Sequence, residues 1–308
     1  MKKLPFLFLC FLPFIVVSQQ VSNLKITVLS TMMADLKGVG EWGFAALVET
    51  DNTRILFDAG LKPNSVVNNA AELDLSLAGI PSLVLSHNHI DHTGGVFTLR
   101  NTFKDSGSFT QIYTGPGFFN REAVPVGLRK QTDSLRLSQS GISFQTVGSF
   151  RSIAPGIYLT GPTPRRYDEK NYPPGKKLKT ANGEIEDNVP EDMSMVLETP
   201  QGLVIISGCG HAGIVNTVTQ VTEHFPGKKV LAVIGGFHLL DTPEPKVNWT
   251  AQELKKTGVQ YFIGAHCTGL NALYQLRAAM GLPKEQCVVG TVGMTFTPEK
   301  GIKGGWMK

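Results

Sequence analysis

The ten residues SHNHIDHTGG, at positions 86–95, limit the folds open to this chain more than any other stretch. They follow a short apolar run that predicts a buried strand. In an extended backbone, side chains two positions apart point the same way, so His87 and His89 can bind one metal ion. Asp91 and His92 come where the chain turns and can face a second ion. This cluster therefore predicts a metal site, and imidazole and carboxylate ligands suit zinc and similar divalent ions.

The N-terminal segment has the layout of a secretory signal peptide. Two lysines precede an apolar run over residues 4–17, and the small residue Ser18 follows it. The run is shorter than the roughly 20 residues needed to span a bilayer. We therefore predict a signal peptide over residues 1–18, a periplasmic or secreted mature chain, and no stable membrane insertion after cleavage.

The composition is that of a globular protein. Of 308 residues, 42% are hydrophobic and 18% are charged, which is enough to bury a sizeable core. Residues 19–308 are predicted to form a single domain. The net charge of +4 is not accompanied by a basic helix or an aromatic stripe, so no nucleic-acid partner is predicted.

The cysteine count argues against a disulfide framework. Removal of Cys10 with the signal peptide leaves Cys209, Cys267 and Cys287, an odd number. Two of these three flank histidines, which favours a metal environment over a disulfide. Buried structural cysteines are the alternative.

Short β-rich runs, such as residues 54–57, alternate with helix-like segments along the chain, such as residues 64–78 and 214–224. This alternation predicts mixed sheets with helices outside. Residues 46–60 and 195–209 share a Glu-Thr before a turn and an apolar strand after it. The same offset aligns His89 with His238. An internal duplication and a chance register of two β-rich stretches are both open interpretations. In either case, strands of both halves would end at a common rim where ligand-bearing loops converge.

The long connection over residues 161–192 is rich in Pro, Gly, Asn and Lys and lacks periodicity. Loops of this length are commonly lids, binding loops or disordered segments. Arg165 and Arg166, with the lysines and tyrosines that follow, suit contacts to an anionic or aromatic substrate. A solvated loop without such a role is the alternative.

The H-x-H-x-D-H pattern after an apolar strand resembles the signature of the metallo-β-lactamase superfamily. The blocks SGCGHAGIVNT (207–217), IGGFHL (234–239) and GAHCTG (264–269) are similar to those of one branch, the 7,8-dihydropterin-6-yl-methyl-4-(β-D-ribofuranosyl)aminobenzene 5'-phosphate synthases. The resemblance covers nearly the whole mature chain. It implies an α/β fold, an αββα sandwich of two similar halves, with two mixed sheets, helices outside and one or two metals at the sheet edges.

The resemblance also implies a set of metal ligands. These are His87 and His89 for the first ion, and Asp91, His92 and His266 for the second. The superfamily commonly has a further histidine near residue 192, where this chain has Glu191 and Asp192. His211 is predicted to replace it, because GCGH follows an apolar strand to the same rim. Cys209 is an additional possible ligand, and a buried structural role and ligation by Asp192 are left open.

Two further residues have roles implied by position. Asp58 ends an apolar strand and resembles a turn whose carboxylate orients a metal-binding histidine or caps backbone amides. His238 follows two glycines, and three roles are open for it: binding substrate, hydrogen-bonding a ligand, or packing at the end of a strand.

The predicted activity is that of an exported hydrolase with two divalent ions. Two adjacent ions can generate a bridging hydroxide, and Asp91 would be the catalytic residue that orients the attacking water. The substrate would be an ester-like small molecule, including anionic phosphoesters and lactones. Zn²⁺ is the expected metal, with Mn²⁺ or Fe²⁺ as alternatives.

Two other activities are open. The resemblance implies a synthase in which an aromatic carbon displaces diphosphate from a pterin, and the metals would stabilise the departing anion. Export favours hydrolysis, because such a synthase needs phosphorylated cytosolic substrates. A metal-dependent binding protein without turnover is the third alternative, although the complete ligand set argues against it.

Overall fold

Two mixed β-sheets face each other, and helices cover their outer faces. The computed structural model describes residues 20–120, 127–129, 132–133, 135–172, 174–180 and 183–304. The predicted signal peptide lies outside the described residues. Within them, no helix has both the length and the apolar character needed to cross a membrane.

The first sheet has eight strands within the described ranges. They are β1 (Lys25–Ser30), β3 (Ala45–Glu49), β4 (Arg54–Phe57), β5 (Ser82–Val84), β6 (Gln111–Thr114), β7 (Ser143–Thr146), β18 (Thr295–Thr297) and β19 (Gly301–Lys303). Their order is β19-β18-β1-β3-β4-β5-β6-β7. Strands β19 to β4 pair antiparallel, and β4 to β7 pair parallel.

The second sheet has seven strands in the same part of the chain. They are β8 (Arg151–Ala154), β9 (Ile157–Leu159), β12 (Met195–Thr199), β13 (Gly202–Ser207), β14 (Val230–Gly235), β15 (Tyr261–Gly264) and β16 (Cys287–Val289). Their order is β16-β15-β14-β13-β12-β9-β8, with parallel pairing from β13 to β16. Two small ladders pair β2 (Met33–Ala34) with β17 (Thr291–Val292) and β10 (Lys177–Thr180) with β11 (Gly183–Glu186).

The helices divide between the two outer faces. Those of the first half are α1 (Ser65–Glu72), α2 (Ile90–Thr93), α3 (Val96–Thr102) and α4 (Leu135–Gln139), and those of the second half are α5 (Ile214–His224), α6 (Glu244–Lys256) and α7 (Leu270–Met280). Short 3₁₀ turns cover Lys104–Ser106, Phe118–Asn120 and His266–Thr268.

Apolar residues on both faces of each strand produce these layers. In β3, Ala46 and Val48 pack between the sheets, whereas Ala45 and Leu47 pack under the helices of the first half. Side chains alternate in direction along a strand, so a strand that is buried on both faces is apolar throughout. A valine or leucine side chain contributes roughly 1.5–3 kcal/mol when fully buried. The αββα sandwich implied by the resemblance is confirmed.

The two halves repeat one strand plan. An antiparallel pair, β3–β4, continues into parallel β5, β6 and β7, and the pair β12–β13 continues likewise into β14, β15 and β16. The stretches that the sequence offset aligns therefore occupy equivalent places in the two sheets. His89 and His238 each follow the strand next to that pair.

The connection over residues 161–192, for which a lid, a binding loop and a disordered segment were open interpretations, contains secondary structure. It forms the hairpin β10–β11, and its first part packs on the sheet rim. The hairpin escaped sequence analysis because all four residues of β11 are exposed, so burial imposed no apolar period.

Candidate metal centre

The predicted metal motif occupies the end of β5 and the turn after it. The chain stays extended to His89 (φ −102°, ψ 151°) before α2 begins, and the rings of His87 and His89 lie 4.5 Å apart. At Gly94, a Cβ atom would lie 1.8 Å from the carbonyl oxygen of Leu61. Only glycine therefore allows the motif to pack this closely against the chain after β4.

His87, His89 and His211 form the first group of ligand-type side chains. Nε2 of His87 lies 3.0 Å from Nδ1 of His89 and 3.2 Å from Nε2 of His211. Tetrahedral zinc, with Zn–N distances of about 2.0–2.1 Å, separates its ligand nitrogens by about 3.3 Å. Burial lowers the pKa of His211, which favours the neutral imidazole that binds metal. The spacing and the protonation state both fit a divalent ion.

Asp91, His92, Cys209 and His266 form the second group. Nε2 of His92 lies 3.1 Å from Sγ of Cys209, and Nε2 of His266 lies 3.2 Å from Oδ2 of Asp91. Burial alone would raise the pKa of Asp91, but His92 and His266 lower it on balance, so the carboxylate is ionised. This donor set of imidazole, carboxylate and thiol suits zinc.

His266 gives a further test of the fit. Its ring is buried, and Nε2 faces Oδ2 of Asp91 at 3.2 Å without hydrogen-bond geometry, while Nδ1 has no hydrogen-bond partner among the described residues. Its φ is +47°, and residues other than glycine rarely adopt a positive φ. Buried polar atoms are normally paired, and strained backbone gathers at functional sites, so both features agree with metal ligation by His266.

Asp58 fixes the orientation of the motif from behind. Its Oδ2 lies 2.7 Å from Nδ1 of His92 and accepts from Oγ of Ser86 at 2.8 Å, while Oδ1 accepts from the Ser86 N–H group at 2.7 Å. Oγ of Ser86 lies in turn 2.9 Å from Nδ1 of His87. These bonds to Nδ1 leave Nε2 of both rings facing the ligand groups. Asp58 thus contacts both a histidine and a backbone amide, and Ser86 was missed by sequence analysis because it lies outside the signature.

The connection over residues 161–192 supports His211. The backbone carbonyl of Asn171 accepts from Nδ1 of His211, and Arg165 donates to the carbonyl oxygen of His211 at 2.7 Å. Arg166 forms an exposed ion pair with a glutamate of α5. Both guanidinium groups therefore contact protein atoms, and their contacts to substrate stay a prediction.

Glu191 and Asp192 belong to neither ligand group in the described part of the chain. Oδ2 of Asp192 accepts from the Ala212 N–H group at 2.9 Å, and Glu191 accepts from the Asn88 N–H group at 3.2 Å. Burial raises the pKa of Asp192 to about 7. The structure thus brings His211, rather than the acidic pair, to His87 and His89.

A third group joins Cys209 to His238 and Cys267. The two sulfur atoms lie 3.3 Å apart, and the His238 N–H group donates to the Cys267 sulfur at 3.2 Å. His238 has a φ of +45°, and its ring lies 4.8 Å from that of His211. The sequence predicted a metal environment for Cys267 from its place beside His266, but it did not single out Cys267 as a ligand.

A cavity of about 570 Å³ opens beside this third group. His238 lies between the cavity and His211. The cavity is lined by Asp168, Lys170, Asn171, Tyr172, Pro174, His238, Asp241, Thr242, Pro243 and Lys246. A small molecule bound there would therefore lie next to the metal groups.

Comparison with known proteins relates the chain to the metallo-β-lactamase superfamily and to one of its synthases. A family model described as the metallo-beta-lactamase superfamily matches residues 43–127. The chain is 31% identical to the 7,8-dihydropterin-6-methyl-4-(beta-D-ribofuranosyl)-aminobenzene-5'-phosphate synthase of Methanocaldococcus jannaschii, over 82% of this chain and 90% of the synthase.

Solved structures share the fold. Tm1679, described as a metal-dependent hydrolase of the beta-lactamase superfamily, matches with a TM-score of 0.73 and 23% identity, over 89% of this chain and 98% of its own. Zn²⁺-bound PqqB from Methylobacterium extorquens matches with a TM-score of 0.54 and 15% identity, over 88% and 99%.

The prediction of an exported two-metal hydrolase is wrong as the main interpretation. That interpretation gave the predicted export more weight than the motif blocks. A relative that is 31% identical and matches over most of both chains is a synthase. The hydrolase Tm1679 is too distant in sequence to show more than the fold. Export itself stays a prediction, since residues 1–18 lie outside the described residues.

Proposed function

The chain belongs to the metallo-β-lactamase superfamily, and from this premise we propose that it is a metal-dependent synthase that joins a dihydropterin to a phosphorylated ribofuranosyl-aminobenzene. The observation that carries the proposal is the 31% identity to the synthase over 82% of this chain. In the proposed reaction, the amino nitrogen of the aminobenzene, rather than the aromatic carbon expected from the resemblance, bonds to the methylene carbon of the pterin. Diphosphate leaves that carbon, and the nitrogen loses a proton.

The ligand groups would hold two divalent ions, and zinc suits both donor sets. His87, His89 and His211 would hold the first, and Asp91, His92, Cys209 and His266 the second. Bound divalent ions supply positive charge that stabilises a departing diphosphate. Asp58 and Ser86 hold the imidazoles of the motif in a fixed orientation and tautomer.

The cavity supplies contacts for a ligand with two kinds of polar group. Lys170 and Lys246 can pair with phosphate oxygens, and Asp168 and Asp241 can accept from the amino and ring N–H groups of a pterin. Tyr172 adds an aromatic face for stacking. This mixed lining supports a substrate that carries both a phosphate and a nitrogen heterocycle.

His238 is the proposed acceptor of the proton that the amine nitrogen loses. It lines the cavity, and its Nδ1 is buried without a hydrogen-bond partner among the described residues. Burial alone would lower its pKa, but Cys267 raises it on balance, so the ring retains a transferred proton more firmly than a free imidazole does. Geometry within reach of the substrate is the first requirement for a general base.

A coupling assay tests the proposal. The zinc-reconstituted protein would be incubated with 6-hydroxymethyl-dihydropterin diphosphate and 4-(β-D-ribofuranosyl)aminobenzene 5'-phosphate, and the joined product would be measured by mass spectrometry together with diphosphate release. We expect both products in equal amounts, and neither with the pterin alcohol that lacks diphosphate. Release of diphosphate without the joined product would refute the synthase.

A further inference from the structure

We propose that Glu169 is a positioning residue for the first metal group. It lies outside the ligand groups, but it anchors the segment that holds His211 from behind. The inference rests on the metal chemistry of the proposed function, although it does not depend on which substrates are joined.

The carboxylate of Glu169 caps helix α5. Oε1 accepts from the Val215 N–H group at 3.2 Å and Oε2 accepts from the Asn216 N–H group at 2.8 Å. The residue before α5 is Gly213, which has no side chain to perform this role. The first N–H groups of a helix need acceptors and favour negative charge, so Glu169 supplies from a distant segment what the local sequence lacks.

Gly213 leaves room for this contact. A Cβ atom at Gly213 would lie 2.2 Å from Oε2 of Glu169, and the φ of Gly213 is +94°. Both the close approach and the backbone angle therefore require glycine. The carboxylate fills the space that a side chain would take, which makes the contact specific to this pair.

The segment that Glu169 anchors contacts His211 through Asn171, two residues after Glu169. The carbonyl of Asn171 accepts from Nδ1 of His211, so Nε2 is the nitrogen that faces His87 at 3.2 Å. Asn216 adds a second anchor, because its Oδ1 accepts from two backbone N–H groups of the same segment, those of Arg166 and Tyr167, at 2.8 Å each. One continuous segment thus both caps α5 and fixes the tautomer of His211.

A role in stability alone does not account for an acidic residue at this place. Glu169 is only 3% exposed, and burial raises its pKa to about 7 although the two N–H groups, Lys246 and Arg165 oppose the shift. The folded chain therefore disfavours the ionised form that caps the helix best. A buried residue that is costly to the fold and adjacent to a ligand group is expected where it serves the site.

Cobalt binding tests the proposal without any turnover. Co²⁺ in the first group would have nitrogen ligands only, whereas Co²⁺ in the second would also show sulfur-to-metal absorption from Cys209. Glu169→Ala should weaken binding at the first group by about 10- to 100-fold and leave the second nearly unchanged. Glu169→Gln should lose less, because its amide oxygen can still accept one N–H bond. Glu184→Ala, which removes an exposed carboxylate from the same connection, is the matched control.

The outcomes separate this proposal from failure of the synthase activity. Equal cobalt affinity at the first group in Glu169→Ala and the wild type would overturn it, whether or not the protein joins pterins. Equal losses at both groups would also overturn it, since they indicate general destabilisation. If Glu169→Ala does not fold, Glu169→Gln decides: the ¹⁵N shifts of the His211 ring should show a changed tautomer population, and unchanged shifts would contradict the proposal.

Discussion

The sulfur atom of Cys209 lies 3.3 Å from that of Cys267. The two thiols differ in what else they touch. Cys209 lies 3.1 Å from Nε2 of His92, and Cys267 accepts from the backbone N–H group of His238. Of these two thiols, Cys209 therefore lies next to the His92 ring of the second ligand group. Cys267 bonds the strand end beside the cavity and also interacts with His266.

Serine variants of the two cysteines should separate these positions. Cys209→Ser is expected to abolish sulfur-to-metal absorption in the cobalt-loaded protein, because it removes the sulfur next to His92. Cys267→Ser should keep that band at most of its wild-type intensity. Absorption spectra at matched cobalt occupancy check this, and the reverse order would place the metal on Cys267.

The choice of the third ligand of the first group is tested by two alanine variants. His211→Ala should lose metal at the first group, since its Nε2 lies 3.2 Å from that of His87. Asp192→Ala should keep most of it, with a loss no larger than the roughly 10- to 100-fold typical of residues behind a ligand. Zinc titration against a competing chelator measures both affinities. A greater loss of affinity in Asp192→Ala would show that Asp192, and not His211, is the third ligand.

Asp58→Asn should weaken the second group without removing a ligand. The amide keeps the shape of the side chain but can place an N–H group opposite Nδ1 of His92, which reverses the tautomer. We expect affinity at the second group to fall by about 10- to 100-fold. Cobalt titration of both groups provides the measurement, with the first group as internal reference. Wild-type affinity in this variant would show that the carboxylate does not orient His92.

Asp192 should give the metal-free protein a pH-dependent stability. Its pKa is raised from 3.8 to about 7 in the folded state. The stability that the protonated carboxyl group contributes is therefore complete below pH 3.8 and is lost as the pH rises to 7. Asp192→Asn should therefore gain stability relative to the wild type over that range, by about 1.4 kcal/mol or less for each pH unit. Urea unfolding at pH 5 and pH 8 checks this; a difference that does not change with pH would contradict the shift.

The location of the protein is a separate prediction. Cleavage after Ser18 would give a mature chain that begins at Gln19, outside the cytoplasm. Mass spectrometry of the native protein from fractionated cells measures the N-terminus directly. An intact Met1 on a cytosolic species would contradict export and would agree with a synthase that meets phosphorylated substrates inside the cell.

The sequence predicted the layers of the fold because burial imposes a pattern on most strands. The strand at residues 54–57 and helix α5 were predicted with the bounds that the structure shows. The hairpin β10–β11 was missed because exposed strands carry no apolar period. The helix predicted over residues 64–78 ends at Glu72, since nothing in its pattern marked the turn that follows.

From spacing alone, the candidate site was predictable only where its residues cluster in the chain, whereas His211, Cys209 and His266 were predicted from the resemblance. His87, His89, Asp91 and His92 share six positions, so their spacing alone indicated a metal. Contacts such as that between Asn171 and His211 join distant segments through a backbone carbonyl, which has no sequence signal. The protein contacts of Arg165 and Arg166 were not predicted either, because charge alone does not show which protein atoms a guanidinium group binds.

The strand plan that repeats in the two halves has a consequence for synthesis of the protein. His87 and His89 follow β5 of the first half, whereas His211 and Cys209 follow β13 of the second. A growing chain that has left the ribosome only as far as β7 carries two imidazoles of the first group and lacks the third. Tight binding of a metal ion by the first group must then wait until the second sheet packs against the first. Metal binding at this group therefore follows the folding of both halves.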